Sequence, residues 1–235
     1  MEKICPMVIT ANANSDLRYA PSYEMSEAAR LLHVSPTTIR NWFAGTNNGK
    51  PVLDLVVAPD KRYLSFMGLV EAHILSAMRT RHGVSLQRIR SAVEFLKIRF
   101  NSDHPLLQFE FVTDGIDLFI DDRQSITNVS QFGQTAIREV MSLYLERIER
   151  DSEGLPSRLF PFTQTNILSD ERIIVIDPTI GFGRPTIGRS GIFTSAVSER
   201  FKSGESLISL AEDFGRPILE IEAAIRSEFE LPTAA

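Results

Sequence analysis

Ser35 followed by Pro36 is the feature that most narrows what this chain can fold into. The serine hydroxyl caps a free backbone donor and proline needs no donor at the first helical position, so the pair marks a helix start at Pro36. That helix should run to about Ala44 and stop near Gly45. Just before it, Ser26 is a cap for a shorter helix in which Ala28, Leu31 and Leu32 share one face, leaving His33, Val34 and Ser35 as the turn. A turn cluster at 47–51, a strand-like run over 52–57 and a second turn at 59–61 then read as a small hairpin. Two compact helices followed by a hairpin make a winged helix-turn-helix.

Downstream, Phe66, Val70, Ile74 and Met78 recur at helical spacing up to a stop at His82 and Gly83. Ser85 caps a further helix with an apolar stripe of Leu86, Ile89, Val93, Leu96 and Phe100. The runs 109–113 and 116–120 flank Asp114 and Gly115, a hairpin signal, and Ile126 and Val129 suggest a short strand. A helix over about 131–151 would carry Ala136, Val140, Leu143, Tyr144 and Ile148 on one side and end at Gly154 and Pro156. A strand over 172–176, a Gly/Pro/Arg-rich stretch over 177–191 and three short helices near 195–202, 206–214 and 217–229 complete the chain. Gly204 and Gly215 separate those helices, and the third is expected to bury Ile218, Ile221, Ile225 and Phe229. The expected fold is mainly α with small β elements. Its parts are a leader (1–21, with a short strand near 7–10), a winged helix-turn-helix (22–101), an acidic α+β connector (102–170) and a C-terminal three-helix module of helix-turn-helix type (171–235).

Charge separates these parts. Residues 1–101 carry thirteen Lys/Arg against eight Asp/Glu, 102–170 carry five against twelve, and the remainder carries seven against ten. The net charge of −5 alone would disfavour nucleic acid. A basic first third beside an acidic middle lets one face approach phosphates while the rest stays soluble. An apolar fraction of 43% excludes wholesale disorder. The single cysteine, Cys5, allows no internal disulfide and points to a reducing cytoplasm, and no apolar run reaches the roughly 20 residues that span a bilayer.

In a helix-turn-helix, the helix after the turn alternates core and groove positions. Ile39 and, partly, Trp42 should face inward, with Thr37, Thr38, Arg40 and Asn41 outward. Arg40 suits a guanine edge or a phosphate, Asn41 an adenine, and the two threonine hydroxyls suit phosphates. Arg62, Arg79 and Arg81 are less specific candidates for neutralising the DNA backbone. Val140, Leu143, Tyr144 and Ile148 form a candidate apolar surface for self-association or a partner, and Arg184, Arg189 and Arg216, in or beside glycine-containing turns, are candidate partner contacts.

Enzyme chemistry finds little support. The four histidines, His33, His73, His82 and His104, lack metal-ligand spacing. Asp114, Asp117 and Asp121 read as a solvated hairpin edge rather than a cation site, and no phosphate-binding glycine motif or nucleophile elbow appears. No catalytic residue, metal or cofactor is expected.

The segment YEMSEAARLLHVSPTTIRNWFAG over 23–45 resembles the N-terminal helix-turn-helix of MerR-type regulators, whose wing and trailing helix pair would extend the match to about residue 100. Here an apolar strand stands where those regulators usually carry an arginine-rich wing loop. Residues 175–228 resemble a small helix-turn-helix-like module found in antitoxin components, with Phe193 and Arg189 where that pattern has proline and threonine. Together with FVTDGIDLF and VSQFGQ in the middle, the chain resembles the larger VapB-type antitoxins over nearly everything after residue 20. That resemblance implies a repressor-like homodimer that binds its own operator DNA and a PIN-domain ribonuclease toxin. A stand-alone transcriptional regulator and a scaffold that never touches DNA are the alternatives.

Overall fold

The computed structural model describes residues 16–45, 50–57, 62–81, 86–107, 142–163 and 171–229. The expected strand at 7–10, the 109–120 hairpin, the strand at Ile126 and Val129, the Ser85 cap and most of the 131–151 helix lie outside the described residues.

The first helical pair forms as its local signals require. Helix α1 spans Met25–Leu31 and α2 spans Pro36–Ala44. Ser35 Oγ accepts from Thr38 N at 3.1 Å, and Gly45 closes α2 at φ 80°. Ser26 is not the cap of α1: it is the second residue of that helix, and Glu24 occupies the capping position. The chain enters α1 two residues earlier than a Ser26 cap would allow, directly after Tyr23, which backbone hydrogen bonds fix to Leu64.

The hairpin is shorter than expected. Strand β1 (Val56–Val57) pairs antiparallel with β2 (Arg62–Tyr63). Val52 and Leu53 are not strand; both are buried and donate to the Trp42 carbonyl at 2.7 and 3.1 Å, which ties the hairpin to α2. Helix α3 (Phe66–Ser76), capped by Ser65, is mainly apolar and buried along all eleven residues, Glu71, His73 and Ser76 included. It continues into a π-helical turn, Ala77–Arg81, and α4 (Leu86–Phe100) buries Ile89, Val93 and Leu96 in the same apolar cluster. The stripe does not use all of α4's apolar residues: Phe95 and Ile98 are exposed.

The middle departs furthest from expectation. Residues 142–145 are helical, but the helix does not run to 151. A turn at Glu146 and Arg147 leads into β3 (Ile148–Arg150), which pairs with β4 (Pro156–Leu159). Gly154, at φ 81°, therefore turns a hairpin rather than stopping a helix. Tyr144 and Ile148, expected on a displayed stripe, are buried in the same cluster as Trp42, Phe66 and Leu69, together with Leu106, Leu159 and Phe162. Leu143 is half-buried and Val140 lies outside the described residues.

Strand β5 (Ile174–Val175) pairs with β6 (Thr186–Ile187), and Ile176 bridges to Leu159, so the two small sheets adjoin. Helices α5 (Thr194–Lys202), α6 (Leu207–Phe214) and α7 (Ile218–Glu228) close over Val197, Leu210, Ile221 and Ile225 to make a second cluster. Ile218 and Phe229, at the two ends of α7, are exposed, against expectation, and the Phe229 ring has the Lys202 ammonium of α5 5.3 Å from its centre.

Candidate nucleic-acid interface

Helix α2 is locked from behind and open in front. Ile39, Trp42 and Phe43 are buried at 0–2% exposure, whereas Thr37, Arg40 and Ala44 are exposed. Trp42 is wholly rather than partly inward. Asn41 is half-buried, and Thr38 spends its hydroxyl on Ser35 Oγ at 2.8 Å, inside the cap. Of the four α2 residues picked from sequence, Thr37 and Arg40 are thus the most freely presented. The turn before α2 places His33 at φ 51°, a left-handed conformation, with its Nε2 2.6 Å from the Phe162 carbonyl. That contact fixes the angle between α1 and α2 from outside the pair.

The hairpin is braced from α4: Arg90 Nε donates to the Lys50 carbonyl at 2.8 Å and Lys97 Nζ meets Asp54 at 2.5 Å. Arg62 sits on β2. Arg79 and Arg81 lie in the π-helical turn after α3, on a different element from α2, with Arg79 exposed.

The acidic groups nearest the helical pair are turned to other work. Arg30 Nη1 of α1 donates to the Ser227 carbonyl at 2.9 Å and pairs with Glu228 at 2.8 Å, and Glu228 also accepts from Thr194 Oγ1. Burial pushes the Glu27 carboxyl above its usual range, with Arg30 opposing that rise. Tyr23 Oη donates to the Gly183 carbonyl at 2.9 Å. Burial would raise Asp177, but hydrogen bonds from Thr179 and Arg158 hold its carboxyl below the usual range. The Arg30 and Tyr23 contacts tie the C-terminal module to α1 and to the segment that leads into it.

Among the described residues, Arg18, Arg30, Arg158, Arg200, Arg216 and Arg226 each meet a carboxylate. Arg40, Arg184 and Arg189 meet none. An arginine whose charge is not cancelled locally is the one able to neutralise a phosphate.

Comparison with known proteins agrees with this geometry. Residues 21–93 match the family described as "Putative DNA-binding HTH domain". This part of the chain is a helix-turn-helix domain. A Mycobacterium tuberculosis protein named "Putative antitoxin VapB45" is 28% identical over 226 residues, covering 85% of this chain and 91% of its own length. A second protein of that organism, "Uncharacterized protein Rv2308", is 23% identical over 220 residues, 86% of this chain and 88% of its own. The crystal structure of Rv2018, also from Mycobacterium tuberculosis, has the same fold at a TM-score of 0.68, with 24% identity and coverage of 88% of this chain and 98% of that one.

Among the described residues no group of histidines, cysteines and carboxylates could hold a metal ion, and no helix is long and apolar enough to cross a membrane. Sequence reasoning overlooked Phe182, which is 81% exposed at φ 58°. Its signal was the Gly-Phe-Gly triplet itself, since glycine readily takes the positive φ found on both sides of Phe182, 55° at Gly181 and 78° at Gly183.

Proposed function

We propose that this protein is a DNA-binding antitoxin of a type II toxin–antitoxin pair. It acts in the cytoplasm as a homodimer, represses its own operator through α2 and neutralises a PIN-domain ribonuclease. The observation that carries the DNA reading is α2 itself: a short helix pinned by Trp42 and Ile39 that offers Thr37 and Arg40 outward, with Arg40 free of any carboxylate among the described residues. The toxin reading is supported by the relative named an antitoxin, whose similarity covers 85% of this chain and so extends well beyond the helix-turn-helix. In a two-fold dimer the two α2 helices would enter successive major grooves about 34 Å apart, which calls for an inverted-repeat operator.

Co-expression with the product of the adjacent gene tests both halves. The proposal expects a purified complex, relief of the growth arrest caused by that product, and a mobility shift of the DNA upstream of the gene pair. A shift without complex or relief would make the protein a stand-alone regulator. A complex without a shift would make it a scaffold.

A further inference from the structure

We infer that the loop around Phe182 is a second DNA contact, flanking the one made by α2; this rests on the DNA-binding reading above. Phe182 belongs to a 3-10 turn, Gly181–Gly183, and takes a left-handed conformation (φ 58°, ψ 38°) that costs a bulky side chain conformational energy. The loop around it is built rather than loose. A Cβ on Gly181 would collide with the Phe193 ring, and one on Gly183 would collide with the Tyr23 hydroxyl, so both neighbours of Phe182 must be glycine. Arg184 lies with its guanidinium 3.8 Å from the centre of the Phe193 ring and donates Nε to the Gly181 carbonyl. These contacts hold a large aromatic ring in solvent, 81% exposed, where burial would otherwise be favourable.

Charge identifies what meets that ring. From Pro178 to Ser198 the sequence contains Arg184 and Arg189 and no Asp or Glu, although residues 171–235 as a whole are acidic. Neither arginine meets a carboxylate among the described residues. A basic, glycine-rich loop tipped by an aromatic complements a polyanion that also offers flat apolar surface. Position points the same way. The loop is hydrogen-bonded through Gly183 to Tyr23, which stands two positions before the first residue of α1 and pairs with Leu64 at the end of the β2 strand. It thereby joins the helix-turn-helix at the seam between helical pair and hairpin. Arg184 and Arg189 then meet phosphates beside the half-site, and Phe182 packs into the flanking minor groove.

The test uses the full chain and two DNA probes: the fragment directly upstream of its own gene and a random fragment of equal length. Phe182→Gly removes the ring while permitting the same backbone, so the fold should hold or gain stability. We expect Phe182→Gly to weaken binding to the upstream fragment about 5- to 20-fold and to shorten the nuclease footprint at its outer edges. Arg184→Ala should lower the slope of log affinity against log salt by about one on both probes. Arg40→Ala serves as the reference. If Arg40→Ala weakens the shift while Phe182→Gly leaves affinity and footprint unchanged, the loop makes no DNA contact and the DNA reading stands. Unchanged DNA binding with loss of the co-purified neighbour protein would make the loop a protein contact and equally overturn its DNA role. If the wild type shifts neither probe, the DNA reading itself falls.

Discussion

Two short helical pairs, α1–α2 near the start of the chain and α6–α7 near its end, present opposite surfaces. Each contains one serine cap that accepts from the backbone three residues on, Ser35 from Thr38 N on the second helix of its pair and Ser206 from Ser209 N on the first of its pair, both at 3.1 Å. In each, a tight turn leads to a second helix that buries a large apolar side chain, Trp42 or Ile221. The outward faces then diverge. Helix α2 shows Thr37 and an Arg40 that meets no carboxylate among the described residues. Helix α7 opens on exposed Ile218 and Leu219, and the arginine in its preceding turn, Arg216, is matched by Glu220 at 3.6 Å. One helical pair thus presents an arginine free of carboxylates among the described residues, and the other an apolar start with its arginine matched. Architecture alone would not separate them.

The largest effect that would test this contrast lies in the two cores. Trp42→Ala removes the largest fully buried side chain and should cost about 3–5 kcal/mol in urea unfolding. Ile218→Ala, at the exposed start of α7, should change stability by less than about 0.5 kcal/mol. Comparable losses from both would mean that the face of α7 is as integrated as that of α2 and is no docking surface.

Acid should loosen the first core before the second. His73, 2% exposed on α3, donates Nε2 to the Tyr144 carbonyl at 3.0 Å and lies beside the Phe162 ring. Burial, helped by the charge of Arg147 and resisted by the Tyr144 carbonyl, pushes its pKa down to about 4. A depressed base is neutral in the fold but protonated in the unfolded chain between the two values. Its contribution is therefore intact above about pH 6.5 and lost as pH falls toward 4, by about 3 kcal/mol at full effect. His104 works against this, since Glu71 at 2.8 Å raises it despite burial and so favours the fold at lower pH. Comparing wild type with His73→Gln isolates the first term: the variant should lose that acid-side slope. Parallel curves for the two proteins would remove His73 as its source.

What could be read in advance divides along the range of the interaction responsible. Ser35, Pro36 and Gly45 act on their immediate neighbours, and the helix they announce is there residue for residue. Ile221 and Ile225 fall where helical spacing puts them, but Ile218 and Phe229 share that spacing and are exposed, because periodicity finds a face without saying how far the opposing core extends. The 131–151 pattern misled for a related reason. Tyr144 and Ile148 suit one helix face, yet pairing of Ile148 with Leu159 turns the second of them into strand. No local rule could reveal that Tyr23 reaches Gly183, His33 reaches Phe162 or Arg30 reaches Glu228. Those partners lie 129 to 198 residues away. For the same reason Thr37 and Arg40 were legible as outward residues, whereas the partnering of Thr38 inside its own cap, and the presentation of Phe182 by two glycines and a distant tyrosine, were not.

At the surface, Arg40→Ala should weaken binding to the upstream fragment by about 1–3 kcal/mol while leaving the unfolding midpoint unchanged. If Arg40 reads a guanine, the loss will fall on one base pair; if it holds a phosphate, specific and random DNA will weaken alike. Arg216→Ala should affect neither. An equal loss from Arg216→Ala would bring α7 to the DNA and erase the distinction between the two helical pairs.

The smallest expected difference is between the caps themselves. Removing a serine cap costs about 1 kcal/mol when it satisfies one backbone donor. Ser206 does only that, in an exposed setting, so Ser206→Ala should sit near this value. Ser35 does more, because its Oγ accepts from Thr38 N and also shares a hydrogen bond with Thr38 Oγ1 in a half-buried turn. Ser35→Ala should therefore cost more, toward about 2 kcal/mol, and leave the Thr38 hydroxyl without its cap partner. The released hydroxyl lies on the first turn of α2, next to Thr37. The variant should thus alter DNA affinity as well as stability, while Ser206→Ala alters stability alone. Unfolding and gel-shift titrations of both variants check this, and an unchanged shift in Ser35→Ala would mean that the start of α2 stands clear of the DNA.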